Sequence, residues 1–238
     1  MGLFRIEGKF EEIFEVKNFD TLHQDEWKGE ATQGDGINRL EEEGWESRYE
    51  YEAKLIIDLI KQNPHIKNVL ELGSGPGVLS QKIQKECDDL NYHLVDKPYA
   101  KQYFEEKQYK GKFFVKDLAS EFNTEGLLEK YDLVITNDFL EHVLNPSIIV
   151  QTIYKLTNKD SIYFISNPNW RMHHQFIYRG LFDFDNFVYF LYTHKFKMEG
   201  WFDSFLETPD YPRISSENML PDKSLRSWNH YFVFKHRK

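Results

Sequence analysis

The sequence predicts an α/β fold, a mostly parallel sheet with helices packed on both faces. Three observations carry that prediction. Five short apolar runs recur between residues 68 and 167, with stretches of helical spacing between them. A glycine-rich turn, GSGPG at 73–77, follows the first run. Acids close the next two runs, Asp96 and Asp117.

The elements follow in chain order. Ala53, Leu55, Ile56, Leu59 and Ile60 recur at helical spacing, so 49–63 reads as a helix that Pro64 ends. NVLEL (68–72) is a buried strand, and the apolar spacing from Val78 through Ile83 makes 77–87 a helix. YHLVD (92–96), KFFVKD (112–117), YDLVITND (131–138) and SIYFISN (161–167) are the next four strands. Helices are expected at 98–107, 121–130 and 147–157. HYFVFKH (230–236) reads as a closing strand, antiparallel at the sheet edge. Between 176 and 205 stand twelve aromatic residues, a density that suggests a helical insertion. It could pack on the sheet edge, wall an acceptor pocket or form a subunit interface, which leaves a homodimer open. The expected organisation is an N-terminal arm or lid at 1–50 and one domain at 51–238, with the insertion at 169–215.

Composition narrows the function. With 238 residues, 40% of them hydrophobic, the chain can bury a sizeable core. A formal charge of −9 argues against a broad nucleic-acid surface. No run approaches a membrane span, and the N-terminus has no apolar secretion segment. The single cysteine, Cys87, excludes an internal disulfide framework and a cysteine-built metal site. No histidine cluster has zinc spacing, so no metal set is assigned. A reducing, cytoplasmic setting fits.

Gly73, Gly75 and Gly77 alternate after a strand, where glycine permits positive φ and close backbone approach. The lysine and Ser/Thr of a P-loop are absent, and G-x-G-x-x-G is not met, since Val78 and Ser80 intervene. Asp96 follows Gly77 by 19 residues, at a strand end where a carboxylate can accept from a ribose diol. Asp117 ends the third strand, where it can receive an adenine amino group. An isolated Asp at a strand end also serves as a turn or helix cap; acids at successive ends favour a ligand.

On these motifs the sequence resembles the class I S-adenosylmethionine-dependent methyltransferases. VLELGSGPG (69–77) is similar to their first motif, followed by LVD (94–96), KDL (116–118) and YDLVITNDFLEHV (131–143). The resemblance covers roughly residues 50–168. It implies a Rossmann-like fold with a mostly parallel seven-stranded sheet, and S-adenosylmethionine as cofactor. It implies that Glu71 and the turn Gly73, Ser74, Gly75 and Gly77 surround the methionine and ribose portions. Asp96 would bind the ribose hydroxyls with Lys97 beside it, Asp117 the adenine amino group, and Leu118 would line the ring. Asn137 and Asp138 would lie by the methionine moiety, with Asp138 also a candidate in catalysis.

His142, just past the fourth strand, reads as a base, as an acceptor-orienting group, or as a helix-start residue that bonds locally. PNWRMHH (168–174) looks like the Pro-Asn segment of sugar- and polyketide-modifying methyltransferases, and Thr193-His194 like a pair in their relatives. His173, His174 and His194 are therefore acceptor-site candidates, and Arg171, Arg179 and Lys195 could pair with a phosphate. The resemblance implies O-methylation of a sugar or nucleotide-linked sugar, as in bacterial capsule or surface-polysaccharide synthesis. Two alternatives stand beside it. One is methylation of a phosphorylated small metabolite or secondary-metabolite intermediate. The other is a regulatory subunit that keeps the fold without turnover.

Overall fold

The computed structural model describes residues 43–118, 122–143, 145–168, 184–204 and 229–237. The chain divides between Tyr49 and Glu50, and the described residues from Glu50 onward form one compact unit. Nearly all of the expected N-terminal arm lies outside the described residues. The elements are α1 (Glu43–Gln62), β1 (Asn68–Leu72), α2 (Val78–Glu86), β2 (Asn91–Asp96), α3 (Pro98–Glu106) and β3 (Lys112–Val115). They continue with β4 (Leu133–Asn137), a 3-10 turn (Leu140–His142), α4 (Pro146–Leu156), β5 (Ile162–Pro168), α5 (Phe184–Thr193), β6 (Phe196–Ser204) and β7 (Asn229–His236).

The strands form one seven-stranded sheet in the order β3-β2-β1-β4-β5-β7-β6. β1 to β5 run parallel, and β7 is antiparallel to both of its neighbours. This is the Rossmann-like class I methyltransferase architecture. The chain reverses its direction of winding between β1 and β4, so their carboxyl ends flank a crevice. Alternation sorts the side chains. Leu70, Leu72, Val95, Val134, Tyr163 and Ile165 face a core shared with Ile149, Val150 and Ile153 of α4 and Phe187 and Leu191 of α5. The residues between them face the other side, where α1 lies and buries Glu52, Ala53, Ile56, Ile57 and Ile60. α4 starts where Asn145 accepts the Ile148 N–H on its side chain and Pro146 takes the first helical position.

The expected helix at 121–130 is not formed: residues 122–130 are turns and irregular chain. Local polar bonds outcompete the helix there. The Asn123 side chain accepts from the Glu125 N–H, Lys116 Nζ donates to the Glu125 carbonyl, and Gly126 takes φ +80°. The closing strand is antiparallel as expected, yet it is interior; the edge strand is β6. β6 comes from the aromatic-rich region read as helical. Its period is broken by a bulge between Met198 and Gly200, which returns Trp201 to the core face after Phe196 and Met198. No helix among the described residues is long and apolar enough to cross a membrane.

The irregular crossover from β3 to β4 is anchored by Tyr131. Its buried hydroxyl lies 2.7 Å from His93 Nδ1 and accepts the Leu128 N–H at 3.0 Å. Tyr131→Phe strands both groups, so stability should fall by about 1–3 kcal/mol. Urea unfolding reads this as a lower midpoint at unchanged slope; an unchanged midpoint removes the hydroxyl as an anchor.

Candidate functional site

The site is built around the turn after β1. The end of β2 grips it: the Gly73 and Ser74 N–H groups donate to the Val95 carbonyl at 2.9 and 3.3 Å. The Gly75 N–H donates to Asp96 Oδ2 at 2.6 Å, and Gly77 closes the turn on the Ser74 carbonyl at 3.1 Å. Gly73, Gly75 and Gly77 all have positive φ, at +69°, +52° and +88°. A side chain at Gly73 would also collide with Phe139, 2.3 Å from where its Cβ would stand. Gly77 then begins α2, whose first N–H groups lack carbonyl partners within the helix.

Acids crowd this turn. Glu71 is buried in β1 and accepts from the Tyr92 hydroxyl at 2.8 Å. Burial pushes its carboxyl up to about 8, overcoming the Tyr92 bond, and the charges of Asp96 and Glu52 add to the rise. Asp96 is half-buried. Its Oδ1 accepts the Lys97 N–H at 2.7 Å while Oδ2 holds Gly75. Desolvation raises its pKa, against those two N–H bonds and the Lys97 charge.

Beside β1, the end of β4 adds a second cluster. Asn137 donates from Nδ2 to Glu52 Oε2 at 2.9 Å, and Oδ1 lies 2.6 Å from the Ser166 hydroxyl. The Ser166 oxygen accepts the Asp138 N–H at 2.9 Å and stands 2.7 Å from Asp138 Oδ1. Asp138 takes φ +44°, an uncommon conformation outside glycine.

Glu71, Gly73, Ser74, Gly75, Gly77, Asp96 and Lys97 thus gather at the ends of β1 and β2, with Asn137 and Asp138 at the neighbouring end of β4. Asp117 follows β3 and is exposed, and Leu118 is buried in the core. His142 ends the 3-10 turn after β4. His173, His174, Arg171 and Arg179 lie outside the described residues. His194 is tied elsewhere: Nδ1–H donates to the Phe190 carbonyl at 2.8 Å, and Nε2 accepts from the Ser147 hydroxyl at 2.6 Å. β6 begins two residues later, paired with the end of β7 beside the start of β5, so His194 precedes the amino ends of the strands. Lys195 places its ammonium over the Tyr154 ring at 5.3 Å.

The sequence reading missed Glu52, Tyr92, Phe139, Ser166 and Asn167. Glu52 left a signal, a charge on the apolar face of α1 four residues before Ile56. The others left none: Tyr92, Ser166 and Asn167 are ordinary strand residues and Phe139 a single aromatic just after β4, and none announces its partners.

A family model described as a methyltransferase domain matches residues 45–236. The chain belongs to this methyltransferase domain family. It is an S-adenosylmethionine-dependent methyltransferase. Solved structures share its fold. The plantazolicin methyltransferase BamL, solved with a triazolic desmethylPZN analog and SAH, is 15% identical over 84% of this chain and 88% of its own, with TM-score 0.63. An S-adenosylmethionine-dependent methyltransferase from Clostridium acetobutylicum is 10% identical over 78% and 91%, with TM-score 0.57. The methyltransferase domain of bacterial CtHen1-C is 14% identical over 79% and 98%, with TM-score 0.56. No curated protein matches the chain significantly.

The residues of the methyltransferase fit the cofactor. A turn of positive-φ glycines offers bare backbone, and the start of α2 offers N–H groups suited to a carboxylate. Buried Glu71 and half-buried Asp96 suit an ammonium group and a diol, since each Asp96 oxygen keeps a lone pair beyond its N–H bond.

Glu71 ties stability to pH. Its folded pKa lies above the unfolded value, so its contribution is full below about 4.5 and is lost as pH rises through about 8. Without cofactor, the methyltransferase should lose up to about 1.4 kcal/mol per pH unit across that window through this group. Glu71→Gln keeps an acceptor for Tyr92 and should flatten the decline in thermal midpoint between pH 5 and pH 8. Parallel curves for the two proteins refute the assignment.

Proposed function

We propose that this methyltransferase acts on a hydroxyl of a sugar or nucleotide-linked sugar in the cytoplasm, in capsule or surface-polysaccharide synthesis. The observation that supports this reading is Asn167, at the carboxyl end of β5. Its side chain is 1% exposed, and neither amide atom has a hydrogen-bond partner among the described residues. An amide offers both a donor and an acceptor, the complement of a hydroxyl group. Burying it without such a partner is costly.

The surroundings agree with a polar acceptor. Asn167 follows Ser166, which touches Asn137 and Asp138 at the cofactor edge. His230 stands opposite Asn167 in register, and its ring lies 5.8 Å from that of Trp201. Indole and imidazole faces suit the C–H faces of a sugar.

The bound cofactor supplies a methyl group on a cationic sulfur. In this reading the protein orients the acceptor hydroxyl, excludes water and receives its proton. His142 is the first candidate to take that proton, with Asp138 orienting the hydroxyl. His174 is the second. His194 precedes the amino ends of the strands, away from the cofactor edge, and has both ring nitrogens engaged, so it is not a candidate for this step.

Calorimetric titration with S-adenosylmethionine and S-adenosylhomocysteine, followed by a mass-spectrometric screen of nucleotide-activated sugars, tests the proposal. One-site binding and a product methylated on oxygen are expected. Asn167→Ala should raise the acceptor KM about tenfold, the effect of about 1.4 kcal/mol, at unchanged cofactor affinity. Turnover confined to amine acceptors, or an unchanged acceptor KM in Asn167→Ala, overturns it.

A further inference from the structure

Glu52 lies outside every motif that carries the family resemblance, yet it is the most deeply buried acid on the cofactor side of the sheet, with no exposure. Both carboxylate oxygens are engaged by strands far apart in the chain. Oε2 accepts from Asn137 Nδ2 on β4 at 2.9 Å, and Oε1 accepts from the Tyr231 hydroxyl on β7 at 3.0 Å. We propose that Glu52 is a positioning residue for cofactor binding: it fixes the Asn137 amide and, through Ser166, the conformation of Asp138 and the seat of Phe139 against the glycine turn.

Each link is a directional contact. With Nδ2 committed to Glu52, the Asn137 amide can present only Oδ1 to Ser166, which lies 2.6 Å away. The Ser166 oxygen then accepts the Asp138 N–H at 2.9 Å, across the residue that takes φ +44°. The next residue, Phe139, fills the space beside Gly73 that a Cβ would occupy. The path runs from α1 through β4 and β5 to the turn. A carboxylate suits its head because both partners are donors. An apolar residue at 52 leaves the Asn137 amide free to turn over and strands two buried donors.

The inference rests on the family's cofactor use and is independent of the acceptor, so calorimetric cofactor affinity reads it without any turnover. Five variants serve: Glu52→Ala, Ser166→Ala, their double variant, Tyr231→Phe and Glu52→Gln. Glu52→Ala and Ser166→Ala should each weaken S-adenosylhomocysteine binding about tenfold, within the coupling range of residues in one hydrogen-bond network. The double variant should bind about as weakly as either single one, because both break the same path. Tyr231→Phe leaves the Asn137 arm whole and should bind as the parent does. Glu52→Gln keeps an acceptor for Asn137 and should restore most of the affinity. Parent-like binding by Glu52→Ala, or a double variant whose loss is the product of the two single losses, overturns the proposal. If Glu52→Ala does not fold, Ser166→Ala decides alone: parent-like binding there overturns it.

Discussion

The hold that the end of β2 keeps on the glycine turn is the constraint on which the rest of the site depends. Three successive N–H groups, from Gly73, Ser74 and Gly75, are taken by the Val95 carbonyl and the Asp96 carboxylate. That requires β1 and β2 to pair in parallel with Leu72 beside Val95. It also bends the chain through positive φ at three glycines, which L side chains resist. The turn in turn fixes where α2 begins and where Phe139 can pack. Asp96 is therefore both a ligand candidate and part of the wall that shapes the ligand's seat.

Electrostatics give the site its bias. Glu52, Glu71 and Asp96 stand on one side of the sheet, and Glu71 feels the charge of the other two. Burial resolves the crowding by holding a proton on Glu71 up to about pH 8. Donors reach both oxygens of Glu52 and both of Asp96. Carboxyl groups gathered on one side in this way suit a cationic ligand. The proton on Glu71 spares the site one more buried charge when no ligand offsets it.

Much of this was legible in the sequence where structure is local. The runs at 68–72, 92–96 and 161–167 are strands within a residue or so of their expected limits, because buried parallel strands read as continuous apolar runs. The glycine turn and the acids at strand ends were legible as well, since each is a short motif. The helix expected at 121–130 failed because Asn123 and Gly126 offered a cheaper local path than the helical one. β6 escaped because its bulge breaks the period of two that marks a strand. Glu52 escaped for another reason. Its partners lie 85 and 179 residues away, and no local pattern encodes such a bond.

Strand alternation also divides the work where β5 pairs with β7. Ser166 turns toward the α1 side and joins Asn137, while Asn167, the next residue, belongs to the opposite face. On β7 the same split recurs: Tyr231 reaches Glu52, and His230 lies against Trp201 and Phe232. Two adjacent residues on each strand thus supply polar groups to two different sides of the sheet. The register that pairs Asn167 with His230 pairs Ser166 with Tyr231, so both sets are fixed together. A slip of one residue would exchange them, burying the Tyr231 hydroxyl among the aromatic rings and leaving Glu52 facing imidazole. The bulge in β6 follows from this demand. It lets the edge strand follow β7 in register while Trp201 keeps to the core face beside His230.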